Sequence, residues 1–382
     1  MDVLSLVYFP AWIVLFYGLP LIVALVVIVF VHELGHFLVA RWCGVSVEAF
    51  SIGFGKEITG WNDRHGTRWK ISWIPLGGYV KFRGDANAAS FPETGPGQGD
   101  SHPGNFHNKP LWQRAAVVAA GPIANFILTI AIFTAAFWIF GVPLIEPRVG
   151  EVLKDSAAQE AGLRTGDLVL TIDGAAIDDF TDLQQAIVTR PGDTVAIVVS
   201  RDGEKVTLTA VPKLSEEPDG FGGKMRRGLL GVRPVAQKNF ALQRYGLTKS
   251  LDKAVQRTWF IVSATGQYVS KLLTGREKPD QMGGMISAGK MAGDAAAGGL
   301  FDFINAIALL SVSIGLINLF PIPMLDGGHL LFYAIESVRG KPLGPNAQEW
   351  GMRIGFSLII MLMLIGNGND LIRSITVLLS RG

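Results

Sequence analysis

The sequence predicts a polytopic α-helical membrane protein with about four transmembrane helices, a membrane-associated β-hairpin and one inserted α+β domain. Three observations predict it. Of 382 residues, 49% are apolar and only 17% are charged, too oily for an ordinary soluble enzyme of this length. The oil is gathered into the runs Leu19 to Val39, Ala115 to Phe140, Phe303 to Ile335, and Ile354 to Ile365 with its extensions. Between the second and third runs the pattern changes to short alternating strands.

Residues 1–42 are read as a lead-in, interrupted by Pro10 and Pro20, and the first transmembrane helix. No Lys or Arg precedes Arg41, so the basic start of a cleaved signal peptide is missing. Residues 43–110 form a loop in which Arg68 to Arg83, RWKISWIPLGGYVKFR, reads as two β runs around a Pro-Leu-Gly-Gly turn, a hairpin. Gly84 to Asn108 is loop-like in composition. The second helix occupies 111–142, and 143–214 is the small domain, with DLVLTID and TVAIVVSR as strands and TDLQQAIV as a helix. Residues 215–300 are amphipathic, then rich in Gly and Ala, which fits a helix on the membrane surface or a packed linker. The third transmembrane segment is 301–337, a loop follows at 338–352, and the fourth helix closes the chain at 353–382.

Lys and Arg crowd the segment Arg41 to Arg114 and the link carrying Arg339, Lys341 and Arg353, which assigns both to the cytoplasmic side. The net charge of +2 points to no particular partner, and no nucleic-acid motif is present. Cys43 is the single cysteine, so no intramolecular disulfide is possible.

The chemistry concentrates in His32-Glu33-Leu34-Gly35-His36. Imidazoles at i and i+4 share one helical face and can grip one zinc ion, with Glu33 placed to take a proton from water. Such residues inside an apolar span are costly to insert and are by default functional. A hydrolytic zinc site has three protein ligands and an open fourth position, so a partner is missing. Trp42 stands where a longer motif of this type places a third histidine, and Glu57 lies in a polar loop. Asp326, in the Pro-broken NLFPIPMLDGGH, is the chosen third ligand, and His329 is assigned a supporting or packing role. Pro321 and Pro323 free backbone groups there, while Gly327 and Gly328 leave room for close approach. Asn318 is placed to hydrogen-bond an extended substrate, and the hairpin to pair with its edge.

HELGH, GPIANF (Gly121 to Phe126) and NLFPIPMLDGG (Asn318 to Gly328) in successive apolar runs, with AGLRTGDLVLTIDG (Ala161 to Gly174), FHNKPLWQRAAVVAAGP and IPLGGYVKFRGD, resemble the site-2 protease family. More closely, the chain resembles its bacterial regulator-of-sigma-E members. The resemblance implies Zn2+ held by His32, His36 and Asp326, Glu33 as general base, and substrate contacts at Asn318, Gly77, Gly78, Tyr79 and Asn125. It implies a PDZ domain at 143–214, placed in the periplasm, with the catalytic site towards the cytoplasmic face of the bacterial inner membrane. The implied substrates are single-span membrane proteins, such as anti-sigma factors and remnant signal peptides, cut within the membrane. Two features depart from the pattern: there is room for one PDZ domain where many relatives carry two, and Gly284-Met285-Ile286-Ser287 stands where Gly-Pro-Ile-Ser is common. A membrane-anchored PDZ adaptor with a structural zinc site is the alternative, and a zinc transporter is a second.

Overall fold

The computed structural model describes residues 14–85, 102–143, 145–218, 224–235 and 242–380. The expected lead-in lies mostly outside these residues, as does 86–101 of the expected loop. The chain divides into two compact units, one running to Phe133 and joined by Gly283–Gly368, the other formed by Thr134–Met282 with the residues from Asn369 onward.

In the first unit, helix α1 (Leu19–Trp42) carries Pro20 in its first turn, where the missing N–H goes unused. Helix α2 (Leu111–Ile139) contains Pro122. The two approach closely: at Gly35 a Cβ would overlap the Ala120 carbonyl and lie 2.7 Å from Ala124 Cβ. Within lipid, small residues of this kind let helix backbones meet. Four described helices, Leu15–Trp42, Leu111–Ile139, Leu300–Leu319 and Pro345–Thr376, have the length and apolarity to cross a membrane.

The third apolar run is not one helix. It ends at Leu319, passes through an irregular Phe320 to Leu325, and resumes as a separate helix, Asp326–Arg339. Pro321 and Pro323 cannot donate to helical carbonyls, so the ladder stops where the prolines stand. The helix Met285–Gly298 buries Gly289, Ala292 and Gly293. Ala292 shares a core with Leu21, Ala24, Ile28, Ile307 and Leu310, so this part of 215–300 is a packed helix.

The expected hairpin at Arg68 to Arg83 is corrected. Strands β1 (Val47–Asn62) and β2 (Arg68–Phe82) both bend, and their halves interleave. Arg68 to Ser72 pairs with Asn62 to Glu57 on one side and, through Ala49↔Arg68 and Ile52↔Ile71, with 49–52 on the other. The last part of β2 pairs across Ile52↔Gly78 and Val47↔Phe82. The order is therefore 57–62, 68–72, 47–52, 78–82, with the two supposed hairpin arms on opposite sides of 47–52. Phe50 explains the preference: it is buried and stacks on Trp69 with centroids 4.2 Å apart, against Phe37 of α1. Strand 78–82 is left as an edge.

The second unit contains a small α+β domain. Its four-stranded antiparallel sheet runs Ala175–Ala176, Leu168–Ile172, Val195–Arg201, Glu204–Ala210, and the helix Phe180–Val188 starts from a capping box of Asp179 and Asp182. Val149, Val169, Ile172, Leu183, Ile187, Val195, Ile197 and Val199 fill the core. The expected boundary at 214 falls short, because Val232–Pro234 returns to pair with Val149–Val152 and Leu230 joins the core. Leu247–Leu273 then forms a single long helix.

Asp167 is almost fully buried under Arg201, whose Nε and Nη2 both donate to it at 2.8 Å. Burial alone would raise its pKa, but the two Arg201 bonds and the Arg164 N–H hold it below the ordinary carboxylate value. A depressed pKa contributes stability that is complete above the unfolded value of about 4 and is lost as pH falls through the folded value. Asp167→Asn is expected to destabilise this unit by about 3 kcal/mol at pH 7, with the deficit narrowing as pH falls below the unfolded value of about 4, as read by pulse proteolysis in urea.

Candidate metal centre

The helical period of α1 turns His32 and His36 to one side, and their Nε2 atoms lie 3.2 Å apart. Asp326 opens the helix that follows the proline break, and its Oδ2 sits 3.2 Å from His32 Nε2 and 3.5 Å from His36 Nε2. Among the described residues this is the group of His, Cys, Asp or Glu side chains able to hold a metal ion. Asp326 Oδ2 is buried and accepts no N–H or O–H hydrogen bond in an otherwise well-satisfied interior.

The donors fit zinc. Two imidazole nitrogens and a carboxylate oxygen are a typical catalytic set, and tetrahedral bonds of about 2.0–2.1 Å put neighbouring donors about 3.3 Å apart. The three observed separations bracket that value. The backbone opposite is shaped to match: a Cβ at Gly121 would overlap His36 Nε2 and lie 2.8 Å from His32 Nε2. Glycine keeps open the space into which both nitrogens point. Outside the donor triangle, His36 Nδ1 bonds the Val117 carbonyl at 2.8 Å, which turns Nε2 inwards.

Glu33 neighbours the triangle and packs against the edge strand, where a Cβ at Gly78 would lie 3.2 Å from its Cγ. A cavity of about 380 Å³ opens onto the donors, walled by Glu33, Gly77, Gly78, Tyr79, Asn318, Met324 and His329. Gly78 allows the strand to run close to α1, since a Cβ there would come within 2.8 Å of Val29 Cγ1. Met324, two residues before Asp326, takes φ of +85°, a strained value for a residue with a side chain.

The residues picked out in the sequence divide cleanly. His32, Glu33, His36 and Asp326 come together, with Gly77, Gly78, Tyr79 and Asn318 around the same cavity. Asn125 does not line it. It is fully buried, with its amide 3.3 Å from His32 Nδ1, behind the ligand and away from the space a substrate would enter. Glu57 is occupied elsewhere by an ion pair with Arg68, and His329 lines the cavity without joining the donor triangle. Sequence reasoning missed Gly121 and the Val117 carbonyl. The Gly-Pro pair inside an apolar helix was a usable signal for the first, whereas a main-chain acceptor leaves no side-chain signal.

Comparison with known proteins accords with this geometry. A protein of Rhizobium meliloti (strain 1021) is 45% identical over 91% of this chain and 94% of its own length. One of Agrobacterium fabrum is 45% identical over 93% and 95%, and both are provisionally named as zinc metalloproteases. Metalloprotease MmpA of Caulobacter vibrioides is 40% identical over 92% of this chain and 94% of its own. The model of peptidase family M50 matches residues 20–362. With the donor set in place and the family pattern running through all four apolar helices, the chain belongs to peptidase family M50 and is a zinc metalloprotease of the membrane.

Proposed function

We propose that this metalloprotease cuts within the bilayer, hydrolysing peptide bonds in the membrane segments of single-span proteins such as anti-sigma factors and remnant signal peptides. The carrying observation is the position of the donors: two lie in the apolar span Leu15–Trp42 and the third follows the break in another apolar run. A soluble active site has no need of such placement, and charge at that depth is expensive.

His32, His36 and Asp326 hold the ion and Glu33 acts on water. Zinc held there supplies Lewis acidity towards a water and the scissile carbonyl. The Glu33 carboxylate accepts a proton from the attacking water and returns it to the leaving nitrogen as the C–N bond breaks. A peptide bond inside a helix is shielded, so the substrate must be locally extended. The edge strand 78–82 offers strand addition beside the donors, and Asn318 on the cavity wall offers a polar contact to the same substrate strand.

The Lys- and Arg-rich connections support a bacterial inner-membrane orientation with the catalytic end of α1 on the cytoplasmic side and the α+β domain in the periplasm. Its AGLRTGDLVLTIDG run and small antiparallel sheet support a PDZ-like role, binding chain ends and screening substrates by size. A structural zinc site would be closed by four protein ligands, whereas the described donor group has three.

Cleavage of a single-span substrate in proteoliposomes, with zinc content measured in parallel, tests this reading. Glu33→Gln is expected to keep zinc and lose at least about a hundredfold in rate. Asp326→Ala should lose both zinc and cleavage, while Glu57→Ala retains both. Gly121→Ala, which pushes a methyl group into the donor space, should weaken zinc binding by about tenfold or more. Equal cleavage of the same peptide bond in a soluble, unanchored peptide would contradict the intramembrane assignment.

A further inference from the structure

The two zinc-binding imidazoles are held from behind in different ways. His36 leans on a main-chain carbonyl, that of Val117. His32 has Asn125 behind it, with Nδ2 of the amide 3.3 Å from Nδ1 of the ring. Asn125 is itself firmly placed. It is fully buried, its Cβ packs where Gly315 leaves room, and its carbonyl accepts from both Thr129 Oγ1 and Ser311 Oγ at 2.9 Å. The other end of its amide, Oδ1, is buried with no hydrogen-bond partner among the described residues.

A metal ion changes what that contact must be. His32 Nε2 points into the donor triangle, so its lone pair goes to zinc and the ring proton resides on Nδ1. Nδ1–H then faces an amide NH2, and two donors make no hydrogen bond. A half-turn of the amide about Cβ–Cγ resolves both difficulties, since it brings the unpartnered Oδ1 onto Nδ1–H.

We propose that Asn125 is a positioning residue for the metal centre: with zinc bound, its Oδ1 accepts the Nδ1 proton of His32 and fixes that ring's tautomer and orientation. The inference rests on His32 ligating through Nε2. It also explains why an amide stands in the wall between three apolar helices, where a hydrocarbon side chain would pack at less cost.

The test uses the full-length protein in detergent, with zinc affinity measured by competition against a chelator. Asn125→Leu removes the acceptor and is expected to weaken zinc binding about ten- to a hundredfold, while Asn125→Asp, which keeps an acceptor, stays within about threefold of wild type. Unchanged affinity in Asn125→Leu would overturn the proposal, as would equal losses in the Leu and Asp variants. A readout on the wild type covers the case in which the Leu variant does not fold. Nitrogen-15 spectra of histidine-labelled, zinc-loaded protein should show His32 protonated on Nδ1, with slow exchange of that proton. A His32 protonated on Nε2 would contradict the proposal, and with it the donor triangle. A wild type that shows the Nδ1 tautomer beside an Asn125→Leu of full affinity would leave the zinc site standing and remove Asn125 from it.

Discussion

Two imidazole nitrogens and a carboxylate oxygen, drawn from α1 and from the helix after the proline break, lie 3.2–3.5 Å from one another in an apolar helical assembly. Unshared electron pairs that close repel, and hydrocarbon cannot solvate them, so a cation is the natural partner for the arrangement. Much else in the first unit follows from bringing those donors together. Gly35 lets α1 and α2 touch, and Gly121 leaves space for the Nε2 atoms. The break at Pro321 and Pro323 ends a spanning helix early enough for Asp326 to open a new one beside the histidines. Asp326 thus gains a place at a helix N-terminus, where a carboxylate is electrostatically favoured.

The same arrangement relates metal to substrate. The edge strand 78–82 of the four-segment sheet runs against Glu33 at Gly78, so the general base and the peptide-docking edge adjoin. The sheet is held to α1 and α2 by Phe37, Phe50, Val80, Phe82, Val117 and Val118, an apolar cluster that also includes the residue whose carbonyl orients His36. The Arg114 to Glu336 fork, with bonds of 3.2 and 2.5 Å, ties the first turn of α2 to the far end of the Asp326 helix. Placement of the third ligand is therefore fixed from both ends of its helix.

Much of this was legible in the sequence because it is written in side chains. Long apolar runs announce spanning helices, HELGH announces a shared helical face, and an aspartate in a proline-broken apolar run has few uses other than binding. The interleaved sheet was not legible: Val47 to Ile52 and Gly78 to Phe82 are about as β-prone as the Arg68 to Ile74 arm, and the burial of Phe50 against Trp69 and Phe37 that favours the observed order is a tertiary contact. The domain end was missed for a related reason, since the return strand Val232–Pro234 is three residues long and too short to show a period. Asn125 was legible as a polar residue in an apolar helix, but whether it faced substrate or ligand depended on which side of α2 meets His32.

The most direct test of the central claim is X-ray absorption at the zinc edge of the loaded protein. Nitrogen and oxygen neighbours at about 2.0–2.1 Å, with the scattering of two imidazoles and no sulfur, are expected. A third imidazole, which would have to come from His329 or another histidine, or a sulfur at about 2.3 Å from Cys43, would contradict it.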